Sequence, residues 1–158
     1  SREPGDAHEQ TFRLADLYCG AGTIGICAAS MRAGVKLTGV EVTPEAVENA
    51  AYNARVNGIE DAEFICAEIG DDFKLPDAVC KADAVIVDPP RKGLAAGLIE
   101  SLADAGVKRV VYISCNPDTL ARDMALFMRH GYASGTVTPV DMFPRTGHVE
   151  TICLMSKK

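Results

Sequence analysis

The stretch Asp16-Leu17-Tyr18-Cys19-Gly20-Ala21-Gly22-Thr23-Ile24-Gly25 decides how the rest of the chain is read. It sets G-x-G-x-x-G between an apolar strand-like run, residues 12–18, and a helical run, residues 23–32, that Gly34 stops. Gly20 and Gly22 let the backbone turn sharply there and approach a ligand closely. Outward from this turn the chain alternates. Residues 36–41 read as a second strand, and Thr43 with Pro44 opens a helix that reaches Asn57 and stops at Gly58. Strands follow at 62–66 and 82–87, a helix at 94–105, a strand at 109–114, and a helix at 117–129 stopped by Gly131. Two more strands, 132–140 and 149–155, succeed each other without a helix, so one of them is expected to insert antiparallel at an edge. Short connections between alternating strands and helices predict right-handed crossovers and a parallel sheet covered on both faces. The expectation is a doubly wound α/β domain whose seven-stranded sheet is mostly parallel with an antiparallel edge strand.

The remaining composition fits that reading. A chain of 158 residues suits one domain, and 47% hydrophobic with 24% charged residues excludes a disordered tail or a fibre. No apolar run approaches the ~20 residues that cross a bilayer, and the start lacks a signal-peptide stretch. A soluble, cytoplasmic protein is expected. Residues 1–12 are polar and aperiodic and read as a linker or truncated end, with the domain at 13–158. Net charge is −6, which argues against a surface built wholly for nucleic acid. The halves differ: residues 1–88 sum to −9 and residues 89–158 to +3. The six cysteines never stand closer than eight residues apart, so zinc, iron–sulfur and redox C-x-x-C sites are absent and no metal is expected. Cys27 and Cys153 lie in apolar runs and are expected as reduced core residues.

Chemistry concentrates at strand ends. Glu41 closes the second strand nineteen residues after Gly22, where a carboxylate can accept hydrogen bonds from ribose hydroxyls. Asp16 precedes the glycines, and an acid there suits an amino-acid ammonium better than a pyrophosphate, which favours S-adenosylmethionine over a dinucleotide. Asp88-Pro89-Pro90-Arg91 ends the fourth strand with a rigid exit that sets Asp88 at the sheet's rim. Ser114-Cys115-Asn116-Pro117 ends the fifth and opens a helix, whose dipole favours a thiolate at Cys115. In a parallel sheet Gly20, Glu41, Glu68, Asp88 and Cys115 converge on one rim. The loop running from Asp141 to Glu150 presents His148 and Glu150, either of which could act as a general base, with Glu150 the stronger candidate because it enters an apolar strand.

Four motifs in order, Asp-Leu-Tyr-Cys-Gly-Ala-Gly, Asp-Pro-Pro-Arg-Lys-Gly, Ser-Cys-Asn-Pro-Asp-Thr-Leu-Ala-Arg-Asp and Asp-Met-Phe-Pro-Arg-Thr-Gly-His-Val-Glu-Thr, make residues 13–157 resemble the catalytic domain of the RNA uracil-5-methyltransferases. The last two motifs are the most specific. The resemblance implies a Rossmann-like class I S-adenosylmethionine-dependent fold acting on a uridine of tRNA or rRNA. It implies cofactor contacts at Tyr18, Thr23, Glu41, Glu68 and Asp88, beside the turn glycines Gly20 and Gly22 already read as cofactor-binding. It implies that Cys115 attacks carbon 6 of uracil and that Glu150 removes the proton from carbon 5. Arg91, Arg122 and Arg145 are expected at RNA phosphates. Relatives also carry an N-terminal RNA-binding part and an upstream segment whose glutamine touches the cofactor. Residues 1–12 are too short to supply that segment, and Gln10 stands too near the strand, so a C-terminal piece of a longer enzyme is expected. Two other readings compete: a methyltransferase of exocyclic amines, in which Asp-Pro-Pro holds a base, and a catalytically silent cofactor-binding module.

Overall fold

The computed structural model describes residues 11–142 and 144–158. Of the expected linker at 1–12, residues 1–10, Gln10 among them, lie outside the described residues, as does Phe143, and Phe12 already belongs to a strand. The chain runs β1 (Phe12–Leu17), α1 (Thr23–Ser30), β2 (Val35–Glu41), α2 (Pro44–Val56), β3 (Ala62–Cys66), α3 (Asp77–Cys80), β4 (Ala84–Val87), α4 (Ala96–Asp104), β5 (Arg109–Ser114), α5 (Pro117–Arg129), β6 (Tyr132–Val140) and β7 (Glu150–Lys157). The strands form one sheet in the order β3-β2-β1-β4-β5-β7-β6. From β3 to β5 all neighbours are parallel, whereas β7 is antiparallel to both β5 and β6. The expected antiparallel insertion is therefore β7, one place in from the edge, with β6 pairing antiparallel to it as the edge strand.

Alternation along the strands divides the core. On one face α1 and α2 bury Leu14, Ile26, Leu37, Ala54 and Ile86. On the other, α3, α4 and α5 cover a larger cluster that includes Leu17, Val85, Val87, Leu98, Tyr112 and Phe127. The apolar runs of the fourth and fifth strands suggest burial on both faces; β4 has all four residues buried, whereas β5 alternates buried residues with exposed or half-buried ones. Of the two cysteines expected inside, Cys153 is buried but Cys27 is exposed. An apolar run on a helix covers its whole circumference, and Cys27 falls on the outer face of α1. All six thiols are free.

Boundaries shift where side chains claim backbone atoms. α4 begins at Ala96 rather than Leu94, because the Leu94 amide donates to Asp123 and its carbonyl accepts from Arg122. α3 is a single four-residue turn with too short a period to read from sequence. Thr43 does occupy the N-cap of α2, yet its side chain makes no cap bond; its amide donates to Glu41 Oε1 at 2.9 Å. Asn116 caps α5 conventionally, accepting from the Asp118 amide at 3.1 Å. Among the described residues no helix is long and apolar enough to cross a membrane.

Candidate functional site

The turn after β1 is built from left-handed backbone. Tyr18 (φ 65°), Gly20 (φ 53°) and Gly22 (φ 82°) all adopt it, and a tyrosine does so only under restraint. The restraint is visible. Cys19 donates its amide to the Val40 carbonyl at 3.1 Å, and Gly20 donates to Glu41 Oε2 at 3.0 Å. Glu41 thus staples the turn to the end of β2. Burial raises its pKa, but the Thr43 and Gly20 amides outweigh that and hold it below the ordinary value. Two bonded oxygens still leave acceptor capacity for a ligand's hydroxyls.

Gly22 serves a different purpose from Gly20. A Cβ at Gly22 would lie 2.9 Å from Ile26 Cδ1 and 3.1 Å from Ala50 Cβ, so it lets α1 and α2 pack, whereas a Cβ at Gly20 would meet nothing within 4 Å. Asp16, expected to face an ammonium group, is instead 1% exposed and accepts from the Gly25 amide at 2.8 Å, while its Oδ1 has no hydrogen-bond partner. Burial pushes its pKa up to about 7, against the Gly25 bond and with help from Asp88.

Four expected cofactor residues do meet. Tyr18, Glu41, Glu68 and Asp88 line one cleft of about 390 Å³, together with Pro90 and Lys92. Gly20, Gly22 and Thr23 are not in its lining, and Thr23 is exposed at the first position of α1. Burial raises the Asp88 pKa, and the charge of Glu150 raises it further, which places Glu150 within electrostatic reach of the Asp-Pro-Pro exit.

Cys115 and Glu150 come together through β5 and β7. Their ladder ends with Ser114 opposite Thr151, and Thr151 Oγ1 donates to the Ser114 carbonyl at 3.0 Å. One residue outward on each strand stand Cys115 and Glu150. Both are half-buried, and neither belongs to the core clusters. The second base candidate, His148, is exposed, and its amide donates to Thr146 Oγ1 at 3.2 Å.

Among the expected phosphate-binding arginines, Arg91 and Arg145 are exposed. Arg122 is otherwise employed. Its guanidinium donates to Asp123 Oδ1 and to the carbonyls of Lys92 and Leu94, so it braces the loop after Asp-Pro-Pro, although its side chain remains 57% exposed. Sequence reasoning missed its partner, Asp123, which is 1% exposed. The signal was present as an acid seven residues after Asn116, on the same face of α5. Among the described residues no group of three or more His, Cys, Asp or Glu side chains gathers as a metal site.

Comparison with known proteins places this rim in context. A family described as tRNA (uracil-5-)-methyltransferase matches residues 6–158. An uncharacterised RNA methyltransferase of Clostridium acetobutylicum is 47% identical over 143 residues, 90% of this chain and 31% of its own length. One from Caldanaerobacter subterraneus subsp. tengcongensis is 42% identical over 153 residues, 97% of this chain and 33% of its own. The chain therefore spans about a third of these relatives. The crystal structure of Pyrococcus abyssi tRNA (uracil-54, C5)-methyltransferase in complex with S-adenosyl-L-homocysteine superposes with a TM-score of 0.79 at 36% identity, covering 92% of this chain and 34% of that one. A precorrin-6y C5,15-methyltransferase from Geobacter metallireducens, at 17% identity and a TM-score of 0.70, shares the fold alone. The family match extends over residues 6–158, so the chain belongs to the tRNA (uracil-5-)-methyltransferase family.

Proposed function

We infer that the protein methylates carbon 5 of a uridine in tRNA or rRNA through a transient bond between Cys115 and the uracil ring. The observation that carries this reading is the placement of Cys115 and Glu150 one residue beyond the last β5–β7 pair, with Asp88 on the exit of neighbouring β4. The cleft beside them suits S-adenosylmethionine. Its Glu41 and Glu68 carboxylates match ribose hydroxyls, Tyr18 offers an aromatic wall, and about 390 Å³ lies within the usual range of ligand sites. That group, when bound, supplies an electrophilic methyl. The rest is the work of the chain.

Carbon 5 of uracil is a weak nucleophile. Addition of the Cys115 thiolate to carbon 6 pushes the ring electrons onto carbon 5 and oxygen 4, giving an enolate that takes the methyl at carbon 5. Glu150 then accepts the proton of carbon 5; the electron pair reforms the 5,6 double bond and expels the thiolate. Asp88, half-buried at the rim, holds the base and the cofactor side against each other. Incubating the full-length enzyme with S-adenosylmethionine and RNA carrying 5-fluorouridine tests this, since fluorine cannot leave as a proton. A denaturation-stable protein–RNA adduct that vanishes in Cys115→Ala is expected. Methylation of uridine by Cys115→Ala at the wild-type rate would exclude the mechanism.

A further inference from the structure

Between β4 and α4 the chain passes through Pro89, Pro90, Arg91, Lys92, Gly93 and Leu94 as a loop, and one face of α5 holds its backbone. Asn116 Nδ2 and Thr119 Oγ1 both donate to the Arg91 carbonyl, at 3.1 and 3.3 Å. Arg122 Nη2 donates to the carbonyls of Lys92 at 3.0 Å and Leu94 at 3.3 Å. The Leu94 amide donates to Asp123 Oδ2 at 2.8 Å. Positions 116, 119, 122 and 123 recur at helical spacing and share a face. Gly93 completes the fit. Its φ is 78°, and a Cβ there would lie 2.5 Å from Asp123 Oδ2 and 2.6 Å from Arg122 Nη2.

Asp123 is the anchor. Besides Leu94, its Oδ2 accepts the Tyr112 hydroxyl at 2.6 Å, and its Oδ1 accepts Arg122 Nε at 2.8 Å. One buried carboxylate thus ties together the loop, β5 and α5. A buried charge of this kind is a poor device for stability alone, since apolar packing of equal volume commonly does as well or better. What it does achieve is definition. The loop starts at the Asp88 exit, and α5 starts two residues after Cys115, so bonding one to the other fixes the gap between the two motifs.

We propose that Asp123 and Arg122 are positioning residues that lock segment 91–94 onto α5 and thereby hold Asp88 and Cys115 at the separation the uracil ring requires. This rests on the reading of Cys115 as the nucleophile. Tyr18, Glu41 and Glu68 follow other strands, whereas Asp88, Pro90 and Lys92 of this exit also line the cleft, so the lock acts mainly on the RNA-dependent step and only secondarily on cofactor affinity.

The test uses the full-length enzyme and compares Asp123→Asn, Arg122→Gln and Thr119→Val with Tyr132→Phe. Tyr132→Phe removes a buried hydrogen bond, to the Val107 carbonyl, that involves neither Asp123 nor segment 91–94. Because displacement by an ångström is enough to cost a large factor in rate, the three loop variants are expected to slow single-turnover methylation and 5-fluorouridine adduct formation about tenfold or more. Their calorimetric affinity for S-adenosylmethionine is expected to change less than the rates, by no more than about threefold, and Tyr132→Phe is expected to keep both rates within about twofold although it melts earlier. If all four variants instead lose rate in step with their lost melting temperature, the positioning role is overturned. Should Asp123→Asn fail to fold, Thr119→Val on the half-buried edge of α5 decides. If the wild type methylates RNA yet forms no fluorouridine adduct, the nucleophile reading is what fails, and the methylation rates of the four variants still judge the lock.

Discussion

Asp16 sets a carboxyl group beneath the glycine turn with one oxygen bonded to Gly25 and the other unpartnered. Its pKa, raised from 3.8 to about 7 chiefly by burial, makes a stability statement. The native state keeps a proton that the unfolded chain releases near pH 4. The stabilisation is therefore complete below that pH and is lost as pH climbs through 7, at roughly 1.4 kcal/mol per unit within the window. In cofactor-free protein, Asp16→Asn is expected to flatten the decline in melting temperature between pH 5 and 8; equal declines in both proteins would refute it. Glu150 makes the complementary case. On the proposed mechanism, Glu150→Gln leaves Cys115 able to add and carbon 5 able to be methylated, but removes the base that ends the adduct. Turnover is expected to fall about 10²–10⁴-fold while covalent RNA–protein complex accumulates with ordinary uridine RNA on denaturing gels. Both carboxylates are visible in the sequence, but their environments are not. Nothing in the run Phe12-Arg13-Leu14-Ala15-Asp16 distinguishes an acid aimed at a ligand from one aimed at the helix beneath.

At the scale of elements, period and punctuation carried most of the reading. β3, β5, α5 and β6 begin and end where apolar pattern, proline and glycine place them. The misplaced boundaries have a common cause, which is side chains from distant elements taking backbone groups. Leu94 looks helical in its own neighbourhood, yet its amide and carbonyl belong to α5. The same long-range logic governs the glycine turn. Gly22 reads locally as a ligand-approach glycine, but its neighbours are Ile26 and Ala50, and only the packing of α1 on α2 reveals that. Gly22→Ala combines a left-handed φ of 82° with contacts near 3 Å, and a destabilisation of about 1–3 kcal/mol is expected by urea titration. Since the turn also aims Glu41 and Tyr18 into the cleft, the same variant should weaken S-adenosylmethionine binding. Gly20→Ala, with open space around its Cβ, should cost stability through its φ of 53° alone.

Over the whole molecule, charge follows chemistry along the chain. The acidic half, residues 1–88, brings Glu41, Glu68 and Asp88 to the cleft, and the basic half supplies exposed Arg91, Lys92 and Arg145 on the segments that follow Asp-Pro-Pro and precede β7. The sequence made this division legible as a change of sign at residue 88, but it could not assign each cation, and Arg122 shows why. A basic side chain beside a catalytic motif has the composition of a phosphate contact, whereas its three donor bonds to Asp123, Lys92 and Leu94 make it a structural brace. Salt dependence separates the two roles, because each phosphate neutralised releases counterions and steepens the fall of log K against log salt by roughly 0.7–0.9. In the full-length enzyme, Arg91→Gln and Arg145→Gln are each expected to flatten that slope by about one, and together by about two, with uniform loss of affinity across RNA sequences. Arg122→Gln is expected to leave the slope unchanged while lowering the methylation rate. A flattened slope in Arg122→Gln would return that guanidinium to the RNA surface. An unchanged slope in Arg91→Gln and Arg145→Gln would mean that the basic half of this chain does not meet the RNA backbone through those two arginines.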